Sequence, residues 1–167
     1  MKIAIISDTH DNLANLKKAI SFIKEEKIEI IIHCGDICAP GTLKEAFKDF
    51  PGKAHIVFGN VDGDRFTITK IAFEELPHVK IWGDLGEIEI DDKKIAFCHF
   101  PEFAKELASS QKYDLVFYGH THKPWEEKIN KTKLVNPGNL AGLFYKATFA
   151  IYDTKTDKLE LKILEKL

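Results

Sequence analysis

Five short segments concentrate the side chains that could do chemistry. They read Asp8-Thr9-His10, His33-Cys34-Gly35-Asp36, Gly59-Asn60-Val61-Asp62, Cys98-His99 and Gly119-His120-Thr121-His122. Carboxylate, imidazole and amide oxygen are ligands for hard or borderline divalent metals, with no thiolate required. The set suits manganese, iron, zinc, nickel or cobalt alike. Residues two apart can point the same way in an extended segment, so Asp8 with His10, or His120 with His122, could share a site. Gly35, Gly59 and Gly119 sit beside these residues, where a side chain would crowd an approaching metal or phosphate.

Each segment follows a short apolar run, and those runs must be the strands that position it. Lys2–Ile6, Glu29–His33, Ala54–Phe58, Lys94–His99 and Leu115–Tyr118 are bounded by polar clusters, as buried parallel strands are. Ligands in open α/β sheets gather at the carboxyl ends of strands, which is where all five segments fall. Between the strands, Asn12–Lys27, Thr42–Phe50 and Arg65–Leu76 read as helices, with Asp11 or Asn12 capping the first and Pro77 stopping the third. Glu87–Ile90 and Lys94–His99 flank Asp91-Asp92 as a hairpin, and Glu102–Ser110 is a fourth helix. Trp125–Ile129, Lys133–Val135, Ala147–Tyr152 and Lys158–Leu164 complete a strand-rich second half. An α/β front and a β-rich back predict two packed sheets with helices outside, in one domain spanning residues 1–167.

Composition narrows the partners. The net charge is -2 and neither sign forms a block, so there is no nucleic-acid footprint and no polybasic membrane patch. No apolar stretch reaches the roughly 20 residues of a membrane span, and the first run meets Asp8 too soon for a secretion signal. Three cysteines, Cys34, Cys38 and Cys98, are odd in number and lie in apolar settings, which predicts free thiols and a cytoplasmic location. Asn60-x-Asp62-x-Asp64 echoes a calcium loop, but its glycine is misplaced and Ile71 stands where the closing Glu belongs.

In order and over nearly the full length, Asp8-x-His10, Gly35-Asp36, Gly59-Asn60, His99 and Gly119-His120-x-His122 resemble the signature of the calcineurin-like metallophosphoesterases. The chain is similar in particular to their small single-domain, YfcE-type phosphodiesterase branch, as is the turn Asn136-Pro137-Gly138-Asn139. The resemblance implies a four-layer α/β/β/α sandwich of two mixed sheets flanked by helices. It implies two divalent ions, manganese first, the first held by Asp8, His10, Asp36 and His122 and the second by Asp36, Asn60, His99 and His120. Asp36, Asn60 and His120 are then the catalytic residues, and a hydroxide between the ions attacks a small, nucleotide-like phosphodiester. No phosphate-binding glycine loop or nucleophilic Ser or Cys motif competes with this reading.

Two positions depart from the family pattern. Val61 replaces a histidine that often protonates the leaving group, which predicts dependence on a good leaving group, or an acid such as Asp62. Phe100-Pro101 follows His99 where a small residue is common. His33 is a strand-end histidine that could orient a ligand, and Arg65 a surface cation that could bind phosphate. A non-catalytic scaffold on the same fold, resembling the retromer subunit, is the alternative function, and the sequence leaves the oligomeric state open, with a homo-oligomer among the possible assemblies.

Overall fold

The computed structural model describes residues 1–167. Eleven strands form two mixed sheets. In the first, β1 (Lys2–Ile6), β2 (Ile30–His33), β3 (Lys53–Ile56) and β4 (Val79–Ile81) run parallel, and β10 (Thr148–Asp153) and β11 (Lys158–Ile163) add antiparallel to the β1 edge. The second has the order β5 (Leu85–Ile90), β6 (Lys93–Cys98), β7 (Leu115–Phe117), β9 (Thr132–Asn136) and β8 (Trp125–Ile129). Here β6, β7 and β9 are parallel. The β5–β6 hairpin turns on Asp91 and Asp92, both left-handed at φ +48° and +61°, as a two-residue turn of this hand requires.

Strand alternation divides the apolar side chains among three cores. Ile3 and Ile5 face inward, meeting Ile95, Phe97, Leu115 and Phe117 of the second sheet. Ala4 and Ile6 face outward and pack under α1 (Leu13–Glu25), α2 (Pro40–Phe47) and α3 (Arg65–Glu75). On the second sheet, Ala96, Cys98 and Val116 face the opposite way, under Ala104 and Ala108 of α4 (Pro101–Ser109). The result is the expected four-layer α/β/β/α sandwich.

The helix ends follow local chemistry. Asn12 caps α1 by accepting the Asn15 N–H at 3.1 Å, while Asp11 crosses to α2 and accepts from Ala39 N–H and Thr42 Oγ1. The second helix starts two residues earlier than Thr42, because Pro40 fits a first helical turn whose N–H has no partner anyway. It also stops at Phe47, short of the expected Phe50. One strand escaped the sequence reading: β4 is three residues long, too short to display an alternation, and is defined by pairing with β3. The three cysteines are free thiols, and no helix is long and apolar enough to cross a membrane.

Phe97 is fully buried between the sheets, with the Trp82 ring edge-on at 6.0 Å. Phe97→Ala is expected to lower unfolding stability by about 3–5 kcal/mol. Phe66→Ala, at a position 80 % exposed, should change it by less than about 0.5 kcal/mol. Urea unfolding midpoints of the two variants check the contrast.

Candidate metal centre

All five segments converge at one edge of the sandwich. Asp8 and His10 follow β1, Asp36 follows β2 and Asn60 follows β3, so the first sheet contributes four of the seven predicted ligands. His99 follows β6, and His120 and His122 follow β7, so the second sheet contributes the other three. The centre therefore straddles the seam between the sheets. Asp8, Asp36, His99 and His122 are buried and form its floor, His10 is half-buried, and Asn60 and His120 are exposed at the mouth.

The seven side chains fall into two halves. In the first, Asp8 Oδ1 lies 3.3 Å from His122 Nε2 and 3.8 Å from His10 Nε2, and these two imidazole nitrogens are 3.0 Å apart. In the second, Asn60 Oδ1 lies 2.9 Å from both His99 Nε2 and His120 Nδ1. Between them, Asp36 Oδ2 is 3.6 Å from His10 Nε2 and 3.4 Å from His99 Nε2. Asp8 is also near both halves, since its ligand atom clusters with those of Asp36 and His99. Its Oδ2, however, is taken by Ser7 Oγ at 2.6 Å and the His120 N–H at 3.1 Å. Asp36 Oδ2 is the oxygen turned toward both.

This donor set fits divalent cations. Burial alone would raise the Asp8 and Asp36 carboxyls, yet the facing imidazoles hold both below the usual carboxylate range. They are thus charged and buried, and no Lys or Arg lies within 4.0 Å of either. Paired burial of two carboxylates without a strong cation is costly. His99 makes the point atom by atom. Its Nδ1–H donates to the Cys34 carbonyl at 2.8 Å, so Nε2 faces two oxygens; against the opposing effect of burial, Asp36 raises the ring's pKa by favouring a proton there, and a divalent cation can take that proton's place. A carbonyl-oriented imidazole aimed at carboxylates is the usual support for a metal ligand. Thiolates play no part: burial holds Cys38 and Cys98 up at about 12 and Cys34 well above its ordinary value.

Backbone conformation is the feature that sequence periodicity missed. Asp8, His10, Asp36, His120 and His122 all adopt left-handed φ, between +43° and +68°. The expectation that residues two apart point the same way holds for extended backbone and fails here for His120 and His122. They part to opposite halves, His120 toward Asn60 and His122 toward Asp8. The glycines also act differently from expectation. A Cβ on Gly59 would lie 2.1 Å from Asp36 Oδ1, and one on Gly119 would lie 2.6 Å from Asp8 Oδ2. They make room for the ligand side chains themselves.

Several supporting residues carry no ligand motif. Asp62, weighed above as an acid, is 4 % exposed and locked. Its Oδ2 accepts the Asp36 and Gly59 N–H groups at 3.0 and 2.6 Å, and its Oδ1 accepts the Cys38 N–H at 2.7 Å. It straps the second and third loops together and is not placed to donate a proton. His33 is fully buried, and burial pulls it down to about 4, so it is neutral. Its Nδ1 accepts the Gly35 N–H, which leaves Nε2–H to donate to Thr9 Oγ1, and Thr9 donates on to the Asp36 carbonyl. It braces two ligand loops through backbone. Arg65 donates to the Gly59 and Asp62 carbonyls and pairs with Asp84, which makes it a clasp on the third loop. His55 and His78 lie away, bonded to Trp82 Nε1 and the Phe47 carbonyl. Asn136 donates to the Gly119 carbonyl and Asn139 to that of His122, so the Asn-Pro-Gly-Asn turn buckles the last ligand loop in place. That turn was the one sequence signal for this support.

Asp62→Asn replaces one of two accepting oxygens by a donor, leaving at least one buried N–H without an acceptor. It is expected to cost about 1–3 kcal/mol of stability and to lower metal occupancy. Urea titration and metal analysis of the purified variant check both.

Comparison with known proteins agrees with this geometry. The family model described as the calcineurin-like phosphoesterase superfamily domain matches residues 1–157. The phosphodiesterase MJ0936 of Methanocaldococcus jannaschii is 36 % identical over 168 aligned residues, covering 99 % of this chain and 100 % of that protein. A solved structure described as a novel archaeal phosphodiesterase superposes with a TM-score of 0.91 at 33 % identity, over 98 % of this chain and 99 % of the other. Vacuolar Protein Sorting 29 from Cryptosporidium parvum shares the fold, with a TM-score of 0.69 at 18 % identity over 97 % and 95 % of the chains. With a family match along nearly its whole length and a relative aligned end to end, the chain belongs to the calcineurin-like phosphoesterase superfamily.

Proposed function

We propose that this protein hydrolyses phosphodiesters at a pair of divalent cations. Asp8, His10, Asp36 and His122 hold the first, and Asp36, Asn60, His99 and His120 hold the second. The observation that carries this reading is the position of Asp36 Oδ2, 3.6 Å from His10 Nε2 and 3.4 Å from His99 Nε2, between two otherwise separate donor sets. Manganese suits these ligands, as do nickel, iron, zinc and cobalt. Bound there, divalent cations supply a water acidic enough to act as hydroxide near neutral pH and offset charge on the phosphate oxygens.

The chain's own residues do the rest. Asp36 holds the two halves in register. Asn60 and His120, the exposed members, stand where the phosphate enters. One water is consumed, the phosphorus–oxygen bond to one ester arm breaks, and a monoester and an alcohol leave. A diester carries one negative charge and a monoester two. No Lys or Arg lies within 4.0 Å of the site carboxylates, so the divalent cations would offset most of the charge of either ester. Val61 is aliphatic and gives no proton, so cleavage favours esters whose alcohol leaves as a stable anion. The three free thiols support a reducing, cytoplasmic setting.

A second reading, a protein-binding scaffold, rests on α3. Phe66 and Phe73 are seven residues apart, hence on one face, and are 80 % and 86 % exposed. A scaffold of this fold can keep part of a metal site without catalysis; all seven ligand positions are filled here, which favours the enzyme.

Metal-stripped protein is expected not to hydrolyse bis-p-nitrophenyl phosphate, and added manganese should restore turnover. Asp36→Asn should lose at least about 100-fold in kcat, as expected for loss of a principal charge-stabilising group, and bind fewer ions. Steady-state kinetics with parallel metal analysis check this. Metal binding without turnover for any metal would move the assignment to the scaffold.

A further inference from the structure

The rim of the centre is apolar, and two of its aromatic rings have no role among the ligands. Phe100 opens α4 directly after His99. Its ring centroid lies 5.0 Å from that of His120 and 5.1 Å from that of His99, and it is 43 % exposed. Phe144 stands against the other half, 5.7 Å from the His122 ring and 91 % exposed. Val61 adds a third apolar rim position, 42 % exposed.

Phe144 is held where neither solvation nor backbone preference would put it. Its φ is +63°, a left-handed conformation that is a true outlier for a bulky residue and costs on the order of 1–3 kcal/mol. The segment around it is firmly tied. Leu140 and Ala141 N–H groups donate to the Ser7 and Asp8 carbonyls at 3.0 Å. Asn139 Oδ1 accepts from Gly142 and Leu143 N–H, while its Nδ2 donates to the His122 carbonyl. The backbone that fixes Asp8 and His122 is thus tied up to Leu143, the residue before this exposed ring. Strain maintained by such a network, beside a ligand cluster, describes a preorganised contact and not a loose loop.

We infer that Phe100 and Phe144 are stacking platforms at opposite ends of the phosphate site, each taking a planar group esterified to the phosphate, a nucleobase or an aryl ring. The inference rests on the phosphodiesterase reading and adds the recognition element to it. A diester extends two organic arms from phosphorus, and the two rings stand against the two opposite halves of the cluster. Stacking on such a ring is tolerant of which base is presented, since every base has a π face.

The test compares two diesters with the same p-nitrophenolate leaving group, p-nitrophenyl phenyl phosphate and methyl p-nitrophenyl phosphate, on the full chain with manganese. Of Phe100→Leu and Phe144→Leu, the one whose ring holds the non-leaving arm is expected to cut the preference for the phenyl ester, the ratio of the two kcat/KM values, by about ten-fold through KM, and the other to weaken both esters alike by losing the shared p-nitrophenyl arm. Phe144→Tyr should keep the preference. Calorimetric titration with diphenyl against dimethyl phosphate should show the same order without turnover. A proportional loss for both esters in both variants, as rings that merely prop the histidines would give, overturns the platforms, as does a wild-type protein with no phenyl preference in turnover or binding. Diphenyl phosphate that binds through the rings without turnover of either ester would instead overturn the phosphodiesterase reading and leave the platforms standing.

Discussion

Two buried carboxylates without a strong cation of their own govern this structure. Asp8 and Asp36 lie at 0 % and 2 % exposure among imidazoles and an amide. Such a cluster of lone pairs repels itself unless cations or protons occupy it. A fold that brings these groups together therefore has to hold them by other bonds. Asp36 has one oxygen tied by the Val61 N–H and the other turned to the centre, while Asp8 has Oδ2 held by Ser7 and shares the His120 N–H between both oxygens, at 3.1 and 3.2 Å.

That holding is expensive in backbone terms. Five of the seven predicted ligands are left-handed, at roughly 1 kcal/mol each. Their sum is a sizeable part of the ~5–15 kcal/mol by which a domain is stable. The three cores of the sandwich supply the surplus, and straps such as Asp62, His33, Arg65 and Asn139 confine the strain to the loops. Asp and His tolerate left-handed backbone better than branched or bulky residues, so the ligand types suit the conformation as well as the chemistry. Phe144 has no such tolerance, which is why its conformation points to a use.

Much of the fold was legible because strands buried on both faces read as uninterrupted apolar runs. Lys2–Ile6 was read to the residue on that ground; the exposed edge strand Trp125–Ile129 was also read to the residue, and the hairpin turn at Asp91-Asp92 followed from its residue types. Three-residue β4 was not, since nothing within Val79–Ile81 distinguishes a strand from a loop until β3 lies beside it. The ligand positions were legible from residue type and from their place after strands. The role of Asp62 was not. Acid and strap differ only in what faces the carboxylate, and here that is three backbone N–H groups from two loops.

The sequence by itself determined which elements form and which side chains arrive at one edge, because strand period, helix caps and turn residues are local. It also supplied the donor chemistry, since Asp, His and Asn carry their ligand atoms wherever they are placed. Only the tertiary structure decided how the donors divide. His120 and His122 are two residues apart, yet left-handed backbone sends one to Asn60 and the other to Asp8. Likewise, only the packing of the two sheets could set Asp36 Oδ2 between His10 and His99, because those partners lie 26 residues before and 63 residues after it in the chain, the first brought in by β1–β2 pairing and the second by the other sheet packing against it.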